Sequence, residues 1–196
     1  MKQKAIILLI LLEIVLTLTS CSENKLAKND IQLKDIEEKP FKLSDYNGKN
    51  VYIRFWASWC PICLSGSADF EKLSAEDNDF EVVSIVSPNY GRELNREDFV
   101  KWFAKQDSND FRVLLDEGGT IVRRFGVRAY PTSFFVMKNG TIQVFPGLIP
   151  NEMVRQVFDA DNGVKTTPAD VSKDTNQLDQ NRVMASLIKP QQQQEG

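Results

Sequence analysis

The sequence of 196 residues contains no histidine and only three cysteines. Without histidine the chain cannot form Ser-His or Cys-His catalytic pairs, imidazole-ligated zinc or haem sites, or a histidine general base. Three cysteines are too few for a zinc site of four thiolates, so we expect no metal and no bound cofactor. Positive charge is not in excess, because 24 Lys and Arg face 27 Asp and Glu, for a net charge of -3. This balance argues against a nucleic-acid partner, which would require a basic surface.

The one long apolar run lies near the N-terminus. Residues 5–18 are almost wholly apolar, follow the positive charges of Lys2 and Lys4, and are interrupted only by Glu13. This pattern is typical of a secretory signal, and the run is short for a permanent span, which needs about 20 apolar residues. An uncleaved membrane anchor is the alternative interpretation.

The apolar run ends in Leu18-Thr19-Ser20-Cys21, which resembles the bacterial lipobox. In proteins with this motif the cysteine is lipidated and becomes the first residue of the mature chain. Diacylation of Cys21 would supply two acyl chains, enough for stable membrane anchoring. We therefore predict a lipoprotein signal peptide over residues 1–20 and a lipid-anchored protein on the outer face of the bacterial cytoplasmic membrane. An ordinary signal peptide with a chance cysteine is the alternative.

Composition divides the rest of the chain into three parts. Residues 21–30 are polar and are predicted to be a tether, and residues 31–160 are predicted to form the folded domain. Residues 161–196 are predicted to be a disordered polar tail, because they lack aromatic residues and carry four consecutive glutamines.

Apolar runs alternate with helical patterns within the predicted domain. Strands are predicted at 51–56, 80–86, 113–115, 133–137 and 141–145, and helices at 61–75, after Asn95, at 119–125 and after Asn151. The two last strands flank Lys138-Asn139-Gly140, a hairpin signal. This order predicts an α/β core with a final antiparallel pair of strands.

The chemistry is predicted to lie at Cys60-Pro61-Ile62-Cys63, between a strand and a helix. Cys60 would begin the helix, where unpaired N–H groups stabilise a thiolate, and Cys63 would lie one turn along on the same face, near enough to close a disulfide. Pro61 suits a first helical turn. Half of a zinc site is one alternative, but no further cysteine or histidine remains to complete it. A structural disulfide is another, but so small a loop constrains the unfolded chain little. The pattern favours a redox-active pair.

Two segments resemble the thioredoxin superfamily, most closely its TlpA-like extracytoplasmic branch. The first is F-W-A-S-W-C-P-I-C at 55–63, and the second is G-V-R-A-Y-P-T at 126–132, similar to the family loop whose proline is cis and packs against C-x-x-C. The resemblance covers about residues 31–160. It implies a thioredoxin fold with a central mixed sheet, a helical insert over 89–105 and an N-terminal extension. The stretch 86–132 further resembles the modules that reduce methionine sulfoxide reductases in bacterial envelopes.

The resemblance also implies roles for individual residues. Cys60 attacks a client disulfide as a thiolate, and Cys63 resolves the mixed disulfide. Substrate contacts are implied for five residues: Trp59, Pro61, Tyr130, Pro131 and Thr132. The implied partners are a protein disulfide client and a membrane electron donor, and we expect the protein to be a monomer.

Three positions depart from family patterns. Thioredoxins proper place a buried Asp where this chain has Arg54, and some TlpA-like reductases place a Glu where it has Gly66. Neither residue can accept a proton, so no general base for Cys63 is assigned. Ala57 stands where a peroxidase of this fold has threonine, which argues against peroxidase activity.

The direction of electron flow follows less directly from the sequence. The Pro-Ile pair between the cysteines lacks the histidine of strong envelope oxidases, which favours a reductase whose clients are methionine sulfoxide reductase or the cytochrome c maturation pathway. An oxidase that forms disulfides in secreted proteins, and a non-catalytic surface lipoprotein of the same fold, are the alternatives.

Overall fold

The computed structural model describes residues 30–161. The predicted signal peptide, Cys21, residues 21–29 of the tether and residues 162–196 of the tail lie outside the described residues. The chain divides into one unit that ends at Phe158 and a second that starts at Asp159, of which three residues are described.

Seven strands and five α-helices make up the described part. The strands are β1 Gln32–Asp35, β2 Pro40–Lys42, β3 Asn50–Phe55, β4 Phe80–Val86, β5 Val113–Leu115, β6 Thr132–Val136 and β7 Ile142–Pro146. The helices are α1 Pro61–Ser65, α2 Ser67–Ala75, α3 Arg96–Phe103, α4 Thr120–Arg124 and α5 Asn151–Asp161, and single 3-10 turns lie at Leu43–Tyr46 and Glu117–Gly119. None of the helices within residues 30–161 has the length and apolar character needed to cross a bilayer.

The strands form one mixed sheet in the order β2-β1-β5-β4-β3-β6-β7. Strand β3 lies inside this sheet, parallel to β4 and antiparallel to β6. All six residues of β3 are buried, because both faces of the sheet are covered. The predicted mixed α/β fold with a final hairpin is confirmed by this topology.

Aromatic side chains fill the core on the face of β3 where the site lies. Trp56 is 1% exposed, and its ring packs about 6 Å from those of Phe99, Phe103 and Phe111. Helix α3 supplies Phe99 and Phe103, and Asn95 caps this helix by accepting the N–H of Asp98. Trp56 is therefore a core residue.

The prediction of a single helix over 61–75 is wrong, because the helix is interrupted at Gly66. Gly66 ends α1, and the Cβ of any larger residue there would lie 2.4 Å from a terminal methyl of Leu148. Two carbonyls at the break each accept a side-chain donor in addition to a backbone N–H: Ser67 donates to the carbonyl of Cys63, and Arg54 donates to the carbonyl of Gly66. The break therefore separates the cysteine pair from the longer helix α2.

Three further details differ from the sequence prediction. The N-terminal extension contains an antiparallel hairpin, β1–β2, which was not predicted and pairs with the edge of β5. The insert predicted over 89–105 is helical only over α3, and residues 89–95 form a turn that continues into irregular structure. The side chain of Asn151, the predicted cap of the last helix, donates instead to the carbonyl of Asp69 and ties α5 to α2.

Candidate active site

Cys60 and Cys63 form a disulfide at the carboxyl end of β3. The sulfurs are 2.15 Å apart and the Cα atoms 5.2 Å apart. Cys60 is the N-cap of α1, and the N–H of Cys63 donates to Cys60 Sγ at 3.3 Å. Cys60 is 4% exposed and Cys63 is fully buried, so a partner can approach Cys60 more readily than Cys63.

The loop before β6 lies against the disulfide. The register of β3 on β6 pairs Phe55 with Thr132, which brings the start of β6 beside the segment that leads to Cys60. The Tyr130–Pro131 peptide bond is cis, as the family resemblance implies. The carbonyl oxygen of Tyr130 lies 3.7 Å from Cys60 Sγ. Two distant segments therefore meet at the sulfur.

Exposed apolar side chains flank the cysteines along the chain and at Gly66. Trp59 is 39% exposed and Ile62 52%, and Leu148, which lies against Gly66, is 38% exposed. The guanidinium of Arg92 lies 4.1 Å from the centre of the Trp59 ring, and Tyr130 meets the same ring edge-on at 5.9 Å. These two contacts hold the exposed indole in one orientation beside Cys60.

Glu93 anchors the loop that precedes Cys60. Its carboxylate accepts the backbone N–H of Ser58 at 2.7 Å, the hydroxyl of Ser58 at 2.5 Å and the N–H of Leu94 at 2.8 Å. Ser58 is two residues before Cys60. A carboxylate that accepts several N–H and O–H groups forms strong hydrogen bonds, so the turn at 89–95 fixes the active-site loop.

Burial changes the ionisation of two side chains at the site. Partial burial, with a contribution from Tyr90, raises the pKa of Tyr130 to about 12, and a side-chain hydrogen bond with Ser87 opposes this effect. Burial also lowers the pKa of Arg54 to about 10, so its guanidinium keeps its positive charge at neutral pH.

The structure brings together most of the residues predicted from the sequence. Trp59, Pro61 and Tyr130 have exposed or partly exposed surface beside Cys60, whereas Pro131 and Thr132 are buried. The hydroxyl of Thr132 donates to the carbonyl of Ala129, so this side chain shapes the loop. Within residues 30–161 no cluster of three or more metal-ligating side chains occurs.

Sequence reasoning missed the contributions of Glu93, Arg92 and Ser58. Their spacing along the chain carries no known motif, and the Glu93–Ser58 contact joins residues 35 positions apart. The only signal in the sequence was the position of Arg92 and Glu93 in the insert predicted over 89–105.

Residues 22–145, more than half of the chain, match the family profile described as Redoxin. The chain belongs to the redoxin family. This redoxin is 44% identical over 128 residues to an uncharacterized protein of Haemophilus influenzae, an alignment that covers 64% of this chain and 82% of that protein. It is 32% identical over 111 residues to the thiol-disulfide oxidoreductase ResA of Bacillus thuringiensis, covering 55% of this chain and 60% of ResA. The redoxin thus spans less than two thirds of that ResA.

A solved structure agrees with these relatives. The pneumococcal exposed lipoprotein thioredoxin Etrx1 of Streptococcus pneumoniae superposes with a TM-score of 0.62 and 37% identity, over 65% of this redoxin and 96% of Etrx1. The redoxin is therefore a TlpA-like member of the thioredoxin superfamily. It is a thiol–disulfide oxidoreductase with a redox-active cysteine pair.

Proposed function

We propose that this protein is a lipid-anchored reductase that works outside the cytoplasm and reduces a disulfide in a client protein of the cell envelope. The observation that carries the proposal is the contact of Cys60 Sγ with the carbonyl of Tyr130, at 3.7 Å, next to an exposed Trp59. An extended client strand can pair with the backbone at Tyr130 while its disulfide lies against Cys60.

The reaction begins with the reduced pair. The Cys60 thiolate attacks one sulfur of the client disulfide, forming a Cys60–client disulfide and releasing one client thiolate, which takes a proton from water. The Cys63 thiol then loses its proton, and its thiolate attacks Cys60 Sγ. This second attack breaks the mixed disulfide, forms Cys60–Cys63 and releases the second client thiolate, which is protonated in turn. Two electrons pass to the client, and a thiol protein at the membrane must return them.

Burial supports this division of roles between the cysteines. Cys60 retains a small exposed surface and Cys63 has none, so the client reaches Cys60 first. Trp59, Pro61 and Tyr130 would contact the client. Pro131 and Thr132 would hold the loop in the shape that presents Tyr130.

The place of action rests on the N-terminal sequence and on one relative. Leu18 to Cys21 resembles a lipobox, and the similar pneumococcal protein is described as an exposed lipoprotein. Incorporation of a labelled fatty acid in bacterial cells tests the anchor. We expect label in the parent chain and none in Cys21→Ser, and label in neither would contradict lipidation.

The proposed clients are methionine sulfoxide reductase or the cytochrome c maturation pathway, since 86–132 resembles the modules that serve the former.

A disulfide-forming oxidase is the second candidate function. The buried cation of Arg54 favours it, because positive charge near a thiolate stabilises the reduced pair and raises the reduction potential.

Trapping and potentiometry together test the proposal on the full chain. In cells, Cys63→Ala should accumulate a mixed disulfide between Cys60 and its client, because the resolving thiol is gone. Cys60→Ala/Cys63→Ala is the matched control and should trap nothing. A reduction potential near or below about -240 mV supports a reductase, whereas a value above about -170 mV would show that the protein acts as an oxidase. Absence of any trapped protein would favour a non-catalytic lipoprotein.

A further inference from the structure

Arg54 is a buried cation in the middle of the sheet. It lies on β3, and the whole residue is 2% exposed. Its guanidinium carbon is 3.9 Å from the centre of the Phe70 ring, with the Phe111 and Trp56 rings at 5.7 and 6.0 Å. Aromatic faces attract a cation, but they do not accept all of its N–H groups in linear hydrogen bonds.

Most of the donors of Arg54 have no acceptor. Nη1 donates to the carbonyl of Gly66 at 3.0 Å, whereas Nε and Nη2 are buried without a hydrogen-bond partner. The buried Nε1 of Trp56 also lacks one. Within residues 30–161 no carboxylate forms an ion pair with Arg54, and the only titratable side chain coupled to it is Tyr52. Burial raises the pKa of Tyr52, so it is neutral at physiological pH and supplies no negative charge.

A buried charge without a counterion destabilises a fold. Native proteins satisfy buried donors almost completely, so each exception calls for an explanation, of which a catalytic or redox role is one. Among the described residues the oxidised protein has three such nitrogen atoms, two in Arg54 and one in Trp56, and its cysteine pair is a neutral disulfide.

Arg54 and Cys63 share one turn of backbone. The N–H of Gly66 donates to the carbonyl of Cys63 at 3.3 Å, and the carbonyl of Gly66 accepts from Arg54. Cys63 is fully buried in the oxidised protein, so solvent would screen charge on its sulfur only weakly. Through Gly66, two hydrogen bonds therefore connect the guanidinium of Arg54 to the backbone of Cys63.

We propose that Arg54 is a positioning residue that favours the thiolate of Cys63 once the disulfide opens, in place of a carboxylate that would accept its proton. The inference rests on the proposed resolving role of Cys63. It explains how the protein can lack a general base at Arg54 and Gly66. A base removes the proton from a resolving thiol, whereas a cation makes the thiolate stable enough that water can take the proton.

The step balances without a further reactant. In the mixed disulfide, Cys63–SH releases H⁺ to water and leaves Cys63–S⁻, whose backbone is linked through Gly66 to the guanidinium. The thiolate then attacks Cys60 Sγ, the Cys60–client bond breaks, and the departing client thiolate takes up one proton. Arg54 keeps its own proton throughout.

The first test measures the acidity of Cys63 alone. Full chains that carry Cys21→Ser and Cys60→Ala, purified in detergent, contain one thiol, and its thiolate is followed by absorbance at 240 nm against pH. We expect Arg54→Met and Arg54→Gln to raise the pKa of Cys63 by about one unit or more, because each removes an opposite charge. Arg54→Gln keeps a donor for the Gly66 carbonyl, so it separates charge from packing if Arg54→Met folds poorly. Arg54→Lys should restore most of the acidity.

The second test measures the reduction potential in chains that retain Cys60 and Cys63. Loss of the cation should lower the equilibrium constant for reduction about tenfold, which corresponds to about 30 mV toward more negative values for this two-electron couple. Arg124→Met is the matched control, since Arg124 is exposed and lies over Phe125 at 4.9 Å, and should leave the potential unchanged. A folded Arg54→Gln protein with the parental Cys63 pKa and the parental potential would overturn the proposal and leave Arg54 a packing residue.

Failure of the proposed function would look different. An absolute potential above about -170 mV would reverse the direction of electron flow and yet leave the shift between parent and Arg54→Gln intact. The inference concerns that shift alone.

Discussion

The carboxylate of Glu93 accepts two hydrogen bonds from Ser58, one from its backbone N–H at 2.7 Å and one from its hydroxyl at 2.5 Å. This pair links the turn at 89–95 to the loop that carries Cys60. The insert is therefore part of the active-site structure, although it supplies no sulfur and no proline.

Glu93→Gln should destabilise the protein and slow its chemistry. The amide offers one acceptor oxygen where the carboxylate offers two, so at least one donor of Ser58 or Leu94 loses its partner. We expect a loss of about 1.5–3 kcal/mol in the free energy of unfolding, measured by urea denaturation of the oxidised protein. Glu97→Gln, which affects only an exposed pair with Lys101, is the control and should change stability by less than about 0.5 kcal/mol. Equal losses in both variants would contradict the anchoring role.

Trp59→Ala should impair exchange with proteins more than exchange with small disulfides. An exposed indole beside Cys60 can bury its surface against a client, whereas a small disulfide needs little of that surface. We expect the rate constant for reduction of insulin disulfides to fall about tenfold, or about 1.4 kcal/mol, with little change for glutathione disulfide. Val144→Ala removes another exposed apolar side chain and serves as the control. An equal fall in the rate constants for insulin and for glutathione disulfide would show that the substitution alters the reactivity of the cysteines and not the docking of a client.

Tyr130 should ionise later than an ordinary tyrosine. Burial raises its pKa to about 12, so the difference in absorbance at 295 nm between the parent and Tyr130→Phe should develop near pH 12 in protein that circular dichroism shows to be folded. The pH dependence of the free energy of unfolding follows from this difference in pKa. Above pH 10 the tyrosine loses its proton in the unfolded chain but keeps it in the folded chain. The contribution of Tyr130 to the free energy of unfolding is thus fully present below pH 10 and is lost as the pH rises to 12. A titration midpoint near pH 10 would contradict the burial of Tyr130.

Asp116→Ala should be among the more damaging substitutions outside the cysteine pair. The carboxylate is 1% exposed and accepts from the backbone N–H groups of Ile121 and Val122 and the hydroxyl of Ser87. Removing it leaves three buried donors without partners, each a loss of about 1–3 kcal/mol, so we expect at least about 3 kcal/mol by urea denaturation. Asp45→Ala, an exposed acid, should stay within about 0.5 kcal/mol. A small loss at Asp116 would mean that α4 does not depend on this carboxylate.

The sequence was most informative where a local pattern determines structure. The apolar runs at 51–56 and 80–86 became adjacent parallel strands, and Asn139-Gly140 marked the hairpin of β6 and β7. The cysteine pair and Pro131 were found because each belongs to a motif that this branch shares.

The rest depends on contacts between distant residues. The break at Gly66 coincides with the close approach of Leu148, which local propensity does not encode. Strands β1 and β2 have four and three residues, too few for alternation to stand out, and they are ordered by pairing with each other and with β5. In the sequence Glu93 cannot be distinguished from other surface acids, because its contact with Ser58 forms only in the fold.

The pairing of Phe55 with Thr132 has a consequence for the protein while it is being synthesised. Cys60 and the carbonyl that lies against it are 70 residues apart, so a chain synthesised from its N-terminus contains both thiols well before it contains the loop that covers them. Until β6 docks on β3, the sulfurs are open to any oxidant or free cysteine nearby. A protein whose task is disulfide exchange is therefore itself a substrate for such exchange during biogenesis, and the last strands of the sheet end that period.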